Sequence, residues 1–317
     1  MTIPLQPQLA APSTRKNGRS GPTIAELEGT HSFELKIDGI RGLVQWDGTE
    51  VTIWNRNGVV VTDYFPEVRD GIRAVAYPEP FLLDGELVLV NPQASFNDLC
   101  KRIKGSAERA AKLATTAPAW FIAFDVLHWH GANLLSTTYL GRRVTLEGVV
   151  GAHGSADCPL TGPWITLVPS SPHGQQMWQF VQDRGLEGLI AKRHASRYQP
   201  GKRTPDWTKF KTTRRLTCVA IGYEPGNGAR ATFGAMHVAL IGGDKPVYVG
   251  RVGTGFNDSD ITWMKAQLDS GEMPLVDIEC LGKTRDNKLR FPVYIGPRTD
   301  LTLLDAHVAQ LDALPLQ

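Results

Sequence analysis

The stretch Phe33-Glu34-Leu35-Lys36-Ile37-Asp38-Gly39-Ile40-Arg41 alternates apolar Phe33, Leu35 and Ile37 with charged Glu34, Lys36 and Asp38. A period of two is that of a β-strand, so the pattern predicts a strand over Phe33–Ile37 with a packing face and a face carrying three ionisable groups. Gly39 supplies a turn, and Arg41 follows it. A lysine between two carboxylates, backed by a packed strand, is suited to act as a nucleophile in a phosphate site. An exposed edge strand with solvated charges carries the same pattern, so the rest of the chain has to decide.

The length of 317 residues is enough for two domains, each with its own core. At 42% hydrophobic and 21% charged, with a formal net charge of +2, the chain is not polycationic, and any nucleic-acid surface must come from local clustering. No run of about 18 apolar residues appears, and the N-terminus lacks the apolar core of a signal peptide. Cys100, Cys158, Cys218 and Cys280 lie far apart without a Cys-x-x-Cys pair, which argues against zinc and disulfide frameworks and for a reducing, cytoplasmic setting.

Residues 1–22 are rich in Pro, Ala, Ser and Gly, with Arg15, Lys16 and Arg19 and no acid before Glu26, and read as a flexible basic arm. Residues 23–212 mix alternating segments (Phe33–Ile37, Gly42–Trp46, Val51–Trp54, Phe81–Val90, Trp120–His128, Gly188–Lys192) with helical ones (Ser95–Ile103, Arg142–Val149, Gly174–Arg184). That mixture predicts an α+β domain on largely antiparallel sheet. Over 213–317 short strand-like runs recur between glycines (Thr217–Tyr223, Met236–Ile241, Val247–Val252, Val276–Leu281), with one helical segment near Asp258–Leu268. This predicts a small β-barrel of the OB type.

Several segments carry polar groups on strand-like runs. Asp84 and Glu86 share a face around Gly85, and paired carboxylates suit a hard cation such as Mg²⁺ beside phosphates; solvated acids on an edge strand read the same way. Phe124 in the apolar run Phe121–Val126 could stack on a base or sit in a core. His128 and His130 flank Trp129 as a weak metal pair or as a strand end with partly exposed imidazoles. Glu187 heads the apolar strand Gly188–Lys192. Lys209 and Lys211 share a face about 7 Å apart and repel unless an anion, or solvent and salt, lies between them. Between Lys192 and Arg215, nine basic residues (Lys192, Arg193, Arg197, Lys202, Arg203, Lys209, Lys211, Arg214, Arg215) face one acid, Asp206. Lys101, Arg102, Lys104, Arg109 and Lys112 form a second cluster opposed by Glu108. Two such runs suggest a nucleic-acid footprint, although charge runs are usually solvated faces. No G-x-x-x-x-G-K-[ST] loop is present, so any nucleotide must be held by lysines and carboxylates.

Taken together and in order, Lys36-Ile37-Asp38-Gly39-Ile40-Arg41, Asn55-Arg56-Asn57-Gly58, Asp84-Gly85-Glu86, Phe124-Asp125, Glu187-Gly188 and Trp207-Thr208-Lys209-Phe210-Lys211 resemble the covalent nucleotidyltransferase superfamily. Over roughly residues 30–300 the chain is most similar to compact ATP-dependent DNA ligases of bacterial or viral type. The resemblance implies an antiparallel-sheet, ATP-grasp-like nucleotidyltransferase domain followed by a C-terminal OB-fold barrel, without the large N-terminal DNA-binding domain of longer ligases. Glu34 matches the position that accepts a hydrogen bond from the adenine amino group. Gly250–Phe256 and Leu289–Tyr294, with Arg298 and Asp300, resemble the ligase OB domain. Leu301 departs from the usual lysine, which leaves the OB domain's part in the first step open.

The implied reaction has three steps. Lys36 attacks the α-phosphate of ATP to give lysyl-AMP and pyrophosphate, AMP passes to the 5′-phosphate of a nick, and the 3′-hydroxyl displaces AMP. An ammonium cannot attack phosphorus, so Lys36 must lose its proton, helped by nearby cations. By resemblance Asp38, Glu86 and Glu187 hold Mg²⁺ (or Mn²⁺) or ribose, with the metal at Glu86 and Glu187. Arg41, Arg56 and Arg203 contact the nucleotide or nick phosphate, Phe124 stacks on adenine, and Lys209 and Lys211 bind the α-phosphate. Arg298 orients pyrophosphate. The expected partner is nicked duplex DNA, with repair or replication proteins as candidate recruiters, no membrane, and a monomeric enzyme. An RNA ligase or capping-type enzyme is the alternative, and a non-catalytic OB-containing nucleic-acid-binding protein is a second.

Overall fold

The computed structural model describes residues 5–13, 21–75, 77–90, 96–151, 164–226, 232–243 and 245–315. Arg15, Lys16, Arg19 and Cys158 lie outside the described residues. The chain divides into two compact units, 1–210 and 211–317.

The first unit holds two sheets. One runs Val51–Asn55, Ile40–Trp46, Phe81–Leu89, Ala119–Trp129 and Ala132–Asn133, with Ile165–Leu167 parallel to the fourth of these. The other runs Leu9–Pro12, Arg203–Lys211, Gly188–Arg193, His31–Leu35 and Ser170–Ser171. Strand alternation explains why the first sheet buries both faces. Phe81, Leu83 and Leu87 join Val44, Phe121 and Val126 in a core closed by the helix Pro66–Val75, which contributes Val68 and Ile72, and by Leu146 and Val149 of the helix Tyr139–Gly151. On the opposite face Leu43, Trp54 and Leu127 pack with Tyr198 and Trp207, joined at the margin by Leu82, Phe124 and Ile190. Asp84 and Glu86 therefore face the same side as Leu82, toward the second sheet.

The register is interrupted where the chemistry-bearing residues lie. Asp84 pairs with Asp125 and Gly85 with Ala123, so Phe124 is an extra residue bulged out of the ladder. Gly85 has no room for a side chain: a Cβ there would meet the Phe121 ring at 2.4 Å and the Ile122 carbonyl at 2.5 Å. Gly39 is required for the same reason, since a Cβ would come within 2.3 Å of the Leu87 carbonyl oxygen.

Two expectations need correction. The strand expected over Phe33–Ile37 is His31–Leu35, so Lys36 lies just past its end, held by a backbone bond from its N–H to the Gly188 carbonyl at 2.9 Å. The segment expected to be a flexible arm contains the strand Leu9–Pro12, which runs parallel to Arg203–Lys211. Its Leu9 N–H bonds the Lys202 carbonyl at 2.8 Å and the Ser13 N–H bonds the Lys209 carbonyl at 3.1 Å. The proline-rich composition hid this because proline is tolerated on an edge strand, where its missing N–H costs nothing.

In the second unit an antiparallel sheet runs Lys245–Val252, Ala235–Gly242, Arg214–Glu224, Leu275–Cys280 and Val293–Pro297. Met236, Val238, Leu240, Val249, Val276 and Ile278 fill its inner side against Met264 of the helix Asp258–Asp269. That helix starts at a reciprocal cap between Asn257 and Asp260. Among the described residues no helix is long and apolar enough to cross a membrane.

Candidate functional site

Lys36 Nζ donates to Glu187 Oε2 at 2.7 Å. The strand end at Leu35 and the start of Gly188–Arg193 bring these two groups together, although 151 residues separate them in sequence. Glu86 lies close enough to both that Lys36 draws its pKa down while Glu187 pushes it up. Burial is the larger influence, and the Glu86 carboxyl is pushed up to about 8. A carboxyl in that state gains when a cation replaces its proton, and carboxylate oxygens suit a hard divalent ion. Among the described residues no three or more His, Cys, Asp or Glu side chains gather as a ready metal cluster, so no further ligand joins His128 and His130. His130 bonds Glu79 instead.

Glu34, two residues before Lys36, is 2% exposed. Lys192 Nζ reaches its Oε2 at 2.7 Å, the Tyr139 hydroxyl donates to Oε1 at 2.7 Å, and Arg143 lies at 3.7 Å. Burial pushes the Glu34 carboxyl up, and these three groups oppose it. Lys192 also donates to the Phe124 carbonyl at 2.7 Å, tying the second sheet to the bulge in the first. Its ammonium lies 4.7 Å from the Phe124 ring centre and 4.3 Å from that of Trp207. The half-buried Phe124 thus lies between the strand that carries Glu34's partner and the guanidinium of Arg41, at 5.0 Å. Next to it, Asp125 is paired with the fully buried Arg142 at 2.7 and 3.0 Å.

Arg41 grips Asp84 through Nε (2.9 Å) and Nη2 (2.6 Å). Burial lowers the affinity of the guanidinium for its proton, but Asp84 outweighs it and holds Arg41 above its ordinary range. Asp84 also accepts from the Tyr198 hydroxyl at 2.6 Å. Asp84 and Glu86 therefore share a face, as expected, but Asp84 is committed to Arg41 and is not available to a cation.

The remaining expected site residues separate by unit. Arg56 is exposed on the turn Asn55–Gly58, whose shape is held by the Asn55 side chain accepting from Asn57 N–H at 2.9 Å. Arg203 is exposed and bonds the Ala10 carbonyl, and Lys209 is half-buried on the same strand. Asp38 is exposed in the loop after Lys36. Lys211 belongs to the second unit, where its ammonium lies 5.3 Å from the Phe291 ring. Arg298, also in the second unit, pairs with Asp277 at 3.1 Å and Asp300 at 2.8 Å.

Two members of the basic clusters are interior struts. Lys192 is 1% exposed, and Arg102 bonds Glu67 at 2.6 Å, the Tyr64 carbonyl at 2.7 Å and the Ala117 carbonyl at 3.2 Å. Sequence reasoning did not assign Tyr139, Arg142, Arg143, Lys192 or Tyr198 to the site. A charge inside an apolar strand, as Lys192 is in Gly188–Arg193, was the one signal that could have found them.

A family model for the ATP dependent DNA ligase domain matches residues 7–211. A DNA ligase of Thermococcus fumicolans is 32% identical over 266 residues, covering 81% of this chain and 46% of that protein. The chain thus spans about half the length of this curated relative. Among solved structures, the ligase domain of M. tuberculosis LigD matches with 26% identity and a TM-score of 0.55, covering 95% of this chain and 97% of that one. A mycobacterial DNA ligase D complexed with ATP and MES matches with the same identity, TM-score and coverage. The fold is that of a nucleotidyltransferase ligase domain, with mixed α and β content. The chain belongs to the ATP-dependent DNA ligase domain family.

Proposed function

We propose that the chain seals nicks in duplex DNA with ATP, through a lysyl-AMP on Lys36 and then a DNA-adenylate. The observation that carries this reading is the meeting of Lys36, Glu187 and a half-buried Glu86 where the two sheets of the first unit face each other. The Lys36 amine forms a bond to the α-phosphorus of ATP as the bond to pyrophosphate breaks. Glu187, 2.7 Å away, is within reach to take the proton that Lys36 must lose. Glu86 and Glu187 would hold Mg²⁺ or Mn²⁺, which when bound neutralises charge on the phosphoryl oxygens.

Phe124 offers the base a platform, and Glu34 offers an acceptor for the adenine amine. Its carboxylate keeps acceptor capacity beyond the bonds from Lys192 and Tyr139. Arg41 uses Nε and Nη2 on Asp84, which leaves the Nη1 donors for a phosphate. Arg56, Arg203, Lys209 and Lys211 serve phosphate oxygens in the same reading, Asp38 the ribose or metal, and Arg298 pyrophosphate.

Two observations in the second unit favour a nucleic-acid substrate. Phe291 is 61% exposed at φ +50°, a costly backbone for a bulky residue, with Lys211 and Arg290 at 5.3 and 5.4 Å from its ring. An aromatic presented between cations suits bases and phosphates together. The five-stranded sheet with one helix supports an OB-type barrel for this unit. A monomer in the cytoplasm, recruited by repair or replication proteins, completes the proposal.

Incubation with α-labelled ATP and Mg²⁺ tests it. The protein should become labelled and seal a nicked duplex, and Lys36→Ala and Lys36→Arg should both stay unlabelled. A labelled Lys36→Ala protein would refute the assignment, and sealing of single-stranded RNA in preference to nicked DNA would favour the alternative enzyme class.

A further inference from the structure

The N-terminal segment reaches the site through a line of buried hydrogen bonds. Gln8 is fully buried, and its backbone N–H donates to the Tyr198 hydroxyl oxygen at 3.0 Å. The Tyr198 hydroxyl donates in turn to Asp84 Oδ2 at 2.6 Å, and Asp84 takes the two bonds from Arg41. Gln8 is itself fixed, because its Oε1 accepts from the Gln199 N–H at 2.6 Å and the neighbouring Gln6 carbonyl accepts from Gly201 N–H at 2.7 Å. The Tyr198 ring packs edge-on against Trp207 with 5.7 Å between centres, so the hydroxyl has little freedom to swing away.

We propose that Tyr198, locked by Gln8 of the N-terminal segment, is a positioning residue that holds Asp84 and thereby sets where Arg41 presents its remaining donors. Asp84 is fully buried and lies on the first sheet, whereas Tyr198 lies in the loop before Arg203–Lys211 of the second and Gln8 immediately precedes its edge strand Leu9–Pro12. A carboxylate gripped from one side by a guanidinium can rotate with it; a third donor from the opposite sheet removes that freedom. In a row of donors and acceptors of this kind each bond also polarises the next. The segment that composition marks as a free arm thus becomes part of the catalytic unit. This inference rests on the reading of Arg41 as a contact to the nucleotide or nick phosphate.

The experiment is a double-mutant cycle on the full chain. Two rates are measured: labelling of Lys36 by ATP, and transfer of AMP from labelled protein to a nicked duplex. The variants are Tyr198→Phe, Arg41→Ala and the two combined. In whichever reaction Arg41→Ala slows, Tyr198→Phe should slow the wild type roughly tenfold, the factor for one hydrogen bond to a charged group. It should have no further effect once Arg41 is alanine. Melting curves accompany each variant; should Tyr198→Phe melt below the assay temperature, Gln8→Ala, which keeps the N–H on Tyr198 but removes the Oε1 that fixes Gln8 to Gln199, carries the test with a smaller expected factor.

Equal factors in both backgrounds would overturn the proposal, since Tyr198 would then act through general stability. A folded Tyr198→Phe protein with wild-type rates would overturn it too. If Arg41→Ala itself leaves both rates unchanged, the reading of Arg41 falls and the proposal with it. An unlabelled wild-type chain would instead bring down the proposed function.

Discussion

Replacing Lys192 with methionine keeps most of the side-chain volume and removes a single charge from the interior. In the structure that charge faces Glu34 at 2.7 Å, with both side chains almost wholly buried. Once it is gone, Glu34 keeps the Tyr139 hydroxyl and the more distant Arg143, and the Phe124 carbonyl loses its donor. Breaking a buried pair by removing one partner costs about 3–5 kcal/mol, because a charge is left without compensation. For a unit of this size that lowers the melting temperature by on the order of 10 °C. The double variant Lys192→Met, Glu34→Gln should recover a large part of the loss, since no uncompensated charge remains.

The sign of the pH dependence follows from the same geometry. Burial already pushes Glu34 up, and without Lys192 its folded pKa rises further above the unfolded value. The native variant then binds more protons than the unfolded chain between those two values, so its stability falls as pH rises. The deficit against wild type should be small near pH 5 and grow toward pH 8. Thermal or urea unfolding at several pH values measures it. A deficit that is independent of pH, or equal in the single and double variants, would refute the reasoning.

Arg102→Gln should cost about 3–5 kcal/mol, because it strips Glu67 of its buried partner, while Lys101→Gln on the same helix should stay within about 0.5 kcal/mol; equal effects in unfolding curves would return Arg102 to a surface footprint. A divalent cation must displace a proton from Glu86 below about pH 8, so the Mg²⁺ concentration needed for half-maximal labelling of Lys36 should fall as pH rises and level off above 8. Glu86→Gln should abolish that slope, and an unchanged slope would show that another group titrates.

Strand positions were readable because a period of two is a local property. Phe81–Leu89 and Ala119–Trp129 match the expected runs to within a residue at each end. The helix Pro66–Val75 escaped notice because its apolar stripe is only three residues, Val68, Ile72 and Val75, set among four charged residues and Gly71, and the role of Val68 and Ile72 shows only when they are buried against the sheet. The N-terminal strand was missed for a related reason: its identity depends on the open edge of Arg203–Lys211, which is 190 or more residues away.

By itself the sequence determined which residue types recur in which order: Lys36 before Gly39, Asp84 and Glu86 around Gly85, Glu187 at the head of a strand, and the lysines after Trp207. Those are enough to assign a family and a chemistry. What tertiary structure alone decided is which charge answers which. Asp84 and Glu86 look equivalent in sequence, yet one is committed to Arg41 and Tyr198 and the other stands beside Lys36 and Glu187. Lys192 and Arg193 are neighbours in a basic run, yet one is an interior strut and the other pairs with Asp206 at the surface. The physical reason is that the cost of a charge depends on its distance from water and from an opposite charge, and the fold sets both.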